Sequence, residues 1–219
     1  MISDAFQDFY PEDVSHCYGC GRLNEHGLQI KSRWEGDESV CIYTPQPYHT
    51  AIPGYVYGGL IASLIYCHST GTASAAAYRQ DGREMGTEPV PRFLTASLHV
   101  DYRKPTPLGV PLEVRATVKE IKGRKVVVAS RLLAEGQECA TGEVVAVELT
   151  EEEKERRKMV TAVNIFLGKM SVVSTQAPDV INVSFSSWSP ELARKVANQI
   201  PEAYIVGQLE AKFEDTQKV

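Results

Sequence analysis

No apolar run in the 219 residues approaches the roughly 20 needed to span a bilayer. That excludes a membrane-crossing helix. The opening MISDAFQDFYPED is acidic and has no charged-then-apolar signal segment. Basic residues are in no excess: 23 Lys and Arg stand against 28 Asp and Glu, interleaved, for a net charge of −5. The basic face of a nucleic-acid binder is therefore missing. Cysteine is scarce, and its count of five is odd. Without a secretory signal this suits a reducing compartment, and a soluble cytoplasmic protein is expected. There is a single C-x-x-C, Cys17 to Cys20, flanked by His16 and His26. Zinc would need four ligands and no second pair follows, so packing of small apolar residues is expected there and no metal. Internal repeats and low-complexity tracts are absent too.

What is present alternates strand and turn signals around one apolar stretch. LQIKSRW and SVCIYTP read as two strands with EGDE as the turn between them. YHTAIPGYVYGG is an aromatic loop. Residues 58–78 then predict a helix, with Leu60, Leu64, Cys67 or His68, and Gly71 recurring at about one turn and small residues elsewhere. A helix so uniformly apolar is buried. FLTASLHVDYRKP, PLEVRATVKEI, KVVVASRLLA and ECATGEVVAVEL read as four further strands in an antiparallel meander, with KGR and EGQ as turns. One sheet wrapped around one helix buries both apolar faces, which gives an α+β domain.

Beyond Thr150 the texture changes. ELTEEEKERRKMV is a charge run, either a short helix or a solvated linker. NIFLGKMSVVST and DVINVSFSS read as strands. A long helix follows, with Ser189 as its cap, Pro190 at its first position, and Leu192, Val196, Ile200, Ala203 and Tyr204 on its apolar stripe. Pro201 should kink it. The boundary is expected near residue 158, giving domains 1–158 and 159–219.

Gly58 and Gly59 stand at the mouth of the buried helix. A helix start carries unpaired N–H groups and partial positive charge, and glycine lets a substrate oxygen approach them. Such a place can hold a carbonyl oxygen that becomes negative during acyl transfer. Alternatively, the pair serves only close packing of helix on sheet.

The ordered set CYGCGRLNEHGLQI, YHTAIPGYVYGGLIASLIYCHSTGTA, TASLHVDYRKPTPLG, GRKVVVASRLL and ATGEVVAVEL resembles the hotdog-fold acyl-CoA thioesterases, in their phenylacetic-acid-degradation-type branch, over residues 16–149. This resemblance implies a hotdog fold and a homodimer or higher oligomer in which two sheets join edge to edge with the sites at the interface. It also implies an acyl-CoA or other acyl thioester substrate bound through the backbone N–H of Gly58 or Gly59, with no cofactor. Relatives commonly carry a carboxylate two helical turns beyond the first glycine, where this chain has Tyr66. A tyrosine hydroxyl has a pKa of about 10 and cannot serve as a carboxylate base at neutral pH. The alternative function is therefore a non-catalytic acyl-CoA-binding module. His49, in the loop before the helix, is a candidate base. Cys67 is a possible nucleophile, and Tyr57, His68 and Thr95 are candidate substrate contacts. For Cys67 and His68 the competing reading is a satisfied core; for Thr95 it is an ordinary strand residue. Glu84, Glu88 and Asp101 could reach a site across a dimer. Arg79, Arg83, Arg92, Arg103 and Lys104 are scattered around the expected mouth.

The last 60 or so residues, above all VINVSFSS to the end, resemble a segment of the bacterial polysaccharide chain-length determinant family. Full members of that family have two transmembrane helices and a longer coiled region. Here the segment is expected to be a fused strand–strand–helix fragment.

Overall fold

The computed structural model describes residues 5–174 and 181–217. The chain divides into two compact units, Met1–Thr150 and Glu151–Val219. In the first unit, two short 3₁₀ turns, Phe6–Phe9 and Glu12–Val14, precede strands β1 (Ser32–Glu35) and β2 (Glu38–Tyr43). The turn between those strands contains Gly36 at φ +65, a conformation that glycine adopts without steric cost. Helix α1 (Gly58–Gln80) follows, then β3 (Phe93–Tyr102), β4 (Leu112–Lys122), β5 (Lys125–Ala134) and β6 (Gln137–Glu148).

The six strands form one antiparallel sheet in the order β1-β2-β4-β5-β6-β3. The expected meander of four strands is thus corrected: β4, β5 and β6 follow one another, but β3 pairs with β6 at the far edge. The segment from Arg103 to Pro111, with Pro105, Pro107 and Gly109, carries the chain across to β4. A tight hairpin could not include those prolines, whose missing N–H groups break a ladder.

Helix α1 is buried because it is apolar or small on nearly every side. Leu60, Ile61, Leu64 and Ile65 pack with Leu112, Val114, Leu132 and Ala140 of the sheet. Burying each large aliphatic side chain contributes about 1.5–3 kcal/mol. Farther along, Ala73 meets Ala116, Val126, Val128, Val144 and Ala146. The small residues let the helix lie close to the strands. A methyl group at Gly142 of β6 would stand 2.5 Å from Ile65 Cγ2, so this approach requires glycine.

The second unit consists of α2 (Glu151–Lys169), β7 (Met170–Ser174), β8 (Ile181–Phe185) and α3 (Pro190–Gln217). The charge run is helical, and the boundary expected near residue 158 falls inside α2. Asn164–Lys169, expected to begin a strand, continue that helix, and β7 starts at Met170. Helix formation is cooperative, so a turn already propagating from Glu151 extends through residues of modest strand preference. The Ser189 hydroxyl accepts the Leu192 N–H at 3.2 Å, the expected N-cap. Helix α3 runs through Pro201. No helix among the described residues is long and apolar enough to cross a membrane.

Candidate active site

The loop before α1 delivers the glycine pair to the surface. The Tyr57 N–H bonds to the His49 carbonyl at 2.9 Å, and Val56 N–H to Thr106 O at 2.9 Å. Tyr57 is the N-cap residue but its side chain makes no capping bond. The Leu60 and Ile61 amides both turn to Tyr57 O, at 3.0 and 3.4 Å. Among the described residues no acceptor meets the amides of Gly58 or Gly59. These amides carry the partial positive charge of a 23-residue helix. Gly58 lines a cleft of about 260 Å³ together with Ile61, Tyr102, Arg103, Lys104 and Thr106. The Tyr102 hydroxyl donates to Gly58 O at 2.8 Å and so ties β3 to the helix mouth. That contact had no signal in the sequence, where Tyr102 was one more alternating strand residue.

Of the five cations expected near the mouth, Arg103 and Lys104 line this cleft. The others hold local structure. Arg79 lies over the Trp34 ring at 3.7 Å, Arg83 pairs with Asp81 at 3.1 Å, and Arg92 pairs with Asp13 at 2.8 Å. Asp101 is paired as well, with Arg103 at 3.1 Å.

The other candidate residues are dispersed. The Tyr57 ring is exposed and lies over Gly59, where an added side-chain carbon would overlap it. His49 accepts the Gln46 N–H on Nδ1 at 3.0 Å and meets the Tyr48 ring edge-on at 4.6 Å. Its imidazole is thereby held in its own loop, and burial lowers its pKa below the ordinary histidine value. Tyr66 stands eight residues past Gly58 on α1, about 12 Å along the axis. It lines a different cavity, of about 350 Å³, together with Thr70, Leu94 and three cysteines. The Thr95 hydroxyl bonds to that of Thr70 at 2.7 Å, beside Tyr66. Glu84 and Glu88 line neither cavity.

His68, expected as a substrate contact or a core residue, lines neither cavity. It is fully buried between α1 and the β1–β2 pair. The Ser32 hydroxyl bonds Nδ1 at 2.9 Å, and Nε2 lies 3.2 Å from Ser39 O and 3.1 Å from Ser39 Oγ. A proton on Nε2 donated to the carbonyl, with Nδ1 accepting from Ser32, satisfies the neutral ring. Burial lowers its pKa to about 4. The unfolded chain, with an ordinary value of about 6.5, takes up a proton across the interval that the folded chain refuses. The stability due to this group is therefore complete above pH 6.5 and is lost as pH falls toward 4, by about 3 kcal/mol in all. Urea unfolding at pH 7 and pH 4 should reveal that loss. His68→Gln should flatten the profile over this interval, leaving only the contribution of the carboxylates. An equally steep profile in the variant would show that His68 is not the group responsible.

Three sulfurs meet at the wall of the larger cavity. Cys17 and Cys20 come from the N-terminal loop and Cys67 from α1, and all three sulfur atoms lie within 4.8 Å of one another. Hydrogen bonds from the Cys20 and Cys67 thiols and from the Gly19 and Cys20 amides hold the Cys17 thiol far below its usual range. Cys20 is pushed up to about 12, chiefly by donating to Cys17. A separation of 50 residues between Cys17 and Cys67 hid this cluster from the sequence.

Residues 53–141 match the family described as the thioesterase superfamily. The chain is 37% identical over 87 residues to acyl-coenzyme A thioesterase THEM4 of Xenopus laevis, covering 40% of this chain and 33% of that protein. It is 31% identical over 90 residues to THEM4 of Rattus norvegicus, covering 41% and 33%. It thus spans about a third of the length of the curated relatives it matches. A solved thioesterase superfamily protein from Shewanella loihica is 45% identical, over 64% of this chain and 100% of that one, with a TM-score of 0.49. The antiparallel sheet with α1 packed against it is the expected hotdog arrangement. Identity at that level over the whole of a relative, together with the family match, establishes that the chain belongs to the thioesterase superfamily.

Proposed function

We propose that the chain hydrolyses an acyl-CoA or another acyl thioester at a site shared by two copies, with the carbonyl oxygen held by the amides of Gly58 and Gly59. The observation that carries this is the pair of unengaged amides at the start of a long helix, beside a cleft with Arg103 and Lys104. Such donors stabilise an oxygen that gains charge in the transition state. The two cations suit the phosphates of coenzyme A. The acyl-CoA thioesterase names of the curated relatives support the same class of substrate.

Tyr66 cannot reach a carbonyl held at Gly58 of its own chain across about 12 Å of helix. It can do so if the second copy supplies it. The free edge of the sheet favours such a pairing: β3 ends the strand order and exposes Leu94, Leu98 and Tyr102. The segment from about residue 159 on, with its resemblance to the chain-length determinants, is proposed as an assembly element: Ile165, Leu167, Ile205, Leu209 and Phe213 are exposed on its helices.

The test is thiol release from a panel of acyl-CoA esters at neutral pH, with sizing of the full chain and of a chain ending at Thr150. Weak hydrolysis by a dimer that persists in the shorter chain, with larger assemblies only in the full one, is expected. Binding without turnover would favour the non-catalytic module. A monomer that neither binds nor hydrolyses any ester would end both readings.

A further inference from the structure

The cysteine cluster takes no part in the proposed hydrolysis, and its geometry is more specific than packing requires. Cys17 and Cys67 place their sulfurs 3.7 Å apart. Tetrahedral zinc holds thiolates at about 2.3 Å, which puts neighbouring sulfurs about 3.8 Å from each other. The loop is shaped to this end. The Gly21 N–H bonds to Cys17 O at 2.8 Å and closes the Cys17–Cys20 turn. A methyl group at Gly19 would overlap Cys67 Sγ, so glycine there admits the third sulfur. A methyl group at Gly21 would stand 2.5 Å from Cys17 N.

The donor set and its surroundings select the ligand. Among the described residues no carboxylate and no imidazole lines the adjoining cavity, whose wall includes Tyr10, Tyr66, Thr70 and the three cysteines. Three sulfur donors with no carboxylate beside them disfavour magnesium and calcium and favour a soft cation. Three sulfurs this close can serve as three ligands of one ion, and all three cysteines line the cavity from which a fourth ligand would come. We propose that Cys17, Cys20 and Cys67 form a three-thiolate zinc site whose fourth position opens into the cavity lined by Tyr66. This revises the expectation of no metal, which rested on counting one C-x-x-C and finding no further ligands. The third comes from the buried helix.

The experiment uses the full chain, reduced and freed of metal by a chelator, then titrated with zinc or cobalt under a reducing thiol-free buffer. Stoichiometric uptake is expected. The cobalt form should show the strong visible bands of a four-coordinate ion and near-ultraviolet thiolate-to-cobalt charge transfer. Cys17→Ser and Cys20→Ser lie in the loop and should weaken binding by at least about 100-fold, since loss even of an outer-sphere partner costs 10–100-fold. Cys67→Ser should do the same, with circular dichroism to verify its fold. Cys139→Ser, on β6 and outside the three-sulfur group, should bind as the parent does. Bound zinc should shield three of the five cysteines from alkylation. Five thiols that react alike with zinc present, a cobalt spectrum without charge transfer, or a disulfide between two of the three under glutathione-reducing conditions would each overturn the site.

Discussion

Tyr66→Asp is expected to raise thioester hydrolysis at neutral pH by about 10²–10⁴-fold, the usual worth of general-base assistance. In the proposed site the oxyanion donors are the Gly58 and Gly59 amides, but Tyr66 stands where the family resemblance implies a carboxylate. A phenol is a far weaker acid than a carboxyl group. It can donate a hydrogen bond or orient water, but it cannot accept a proton as a carboxylate does. The substitution is tolerable because Tyr66 is 37% exposed on α1. Aspartate in a helix interior costs less than about 1 kcal/mol in propensity. Tyr66→Phe should change the rate little. Steady-state rates for the parent and both variants decide the matter. A parent already as fast as an acid-bearing relative, and unimproved by aspartate, would mean another base. His49 would then be tested by pH. Because burial lowers its pKa, its activity should persist to a pH below the ordinary 6.5 before falling.

Gly59→Val is expected to lower kcat/KM for any hydrolysed ester by about 10²–10³-fold, the cost of losing one oxyanion donor. A side-chain carbon at this position overlaps the Tyr57 ring. That ring is exposed and can swing aside, so the fold should survive. The branched side chain then covers the amides that the oxygen must reach. Valine also has a slightly better helix propensity than glycine, so thermal stability should hold or rise. Activity lost with Tm retained is the expected signature. Gly58→Ala offers a milder comparison, since its methyl would rest 3.4 Å from the Tyr102 ring. If Gly59→Val were as active as the parent, the helix mouth would not be the acyl site, and the glycines would serve packing alone.

Pattern along the chain was enough for the elements of the first unit. Alternation in β4 assigned Leu112, Val114 and Ala116 to the inner face, where all three are buried. The uniform apolarity of residues 58–78 identified α1 as a buried helix, because no amphipathic surface helix has that composition. Gly58 and Gly59 were legible at its start, where glycine admits either a ligand oxygen or close packing of helix on sheet. These are local properties, set by periods of two and 3.6 residues and by the conformational range of glycine.

What is not local was decided by the tertiary structure. The sequence order of four strands suggested a meander, but a Pro-rich crossing sends β3 to the far edge, beside β6. His68 sits in the same apolar run as Tyr66, yet one is enclosed by Ser32 and Ser39 and the other reaches a cavity. Two residues on a helix differ by about 200° in direction, and only the sheet's position determines which direction is inside. The Tyr102 bond to Gly58 and the approach of Cys67 to Cys17 join residues 44 and 50 positions apart. Such contacts follow from how a sheet closes over a helix, and no spacing rule along a single chain encodes that closure.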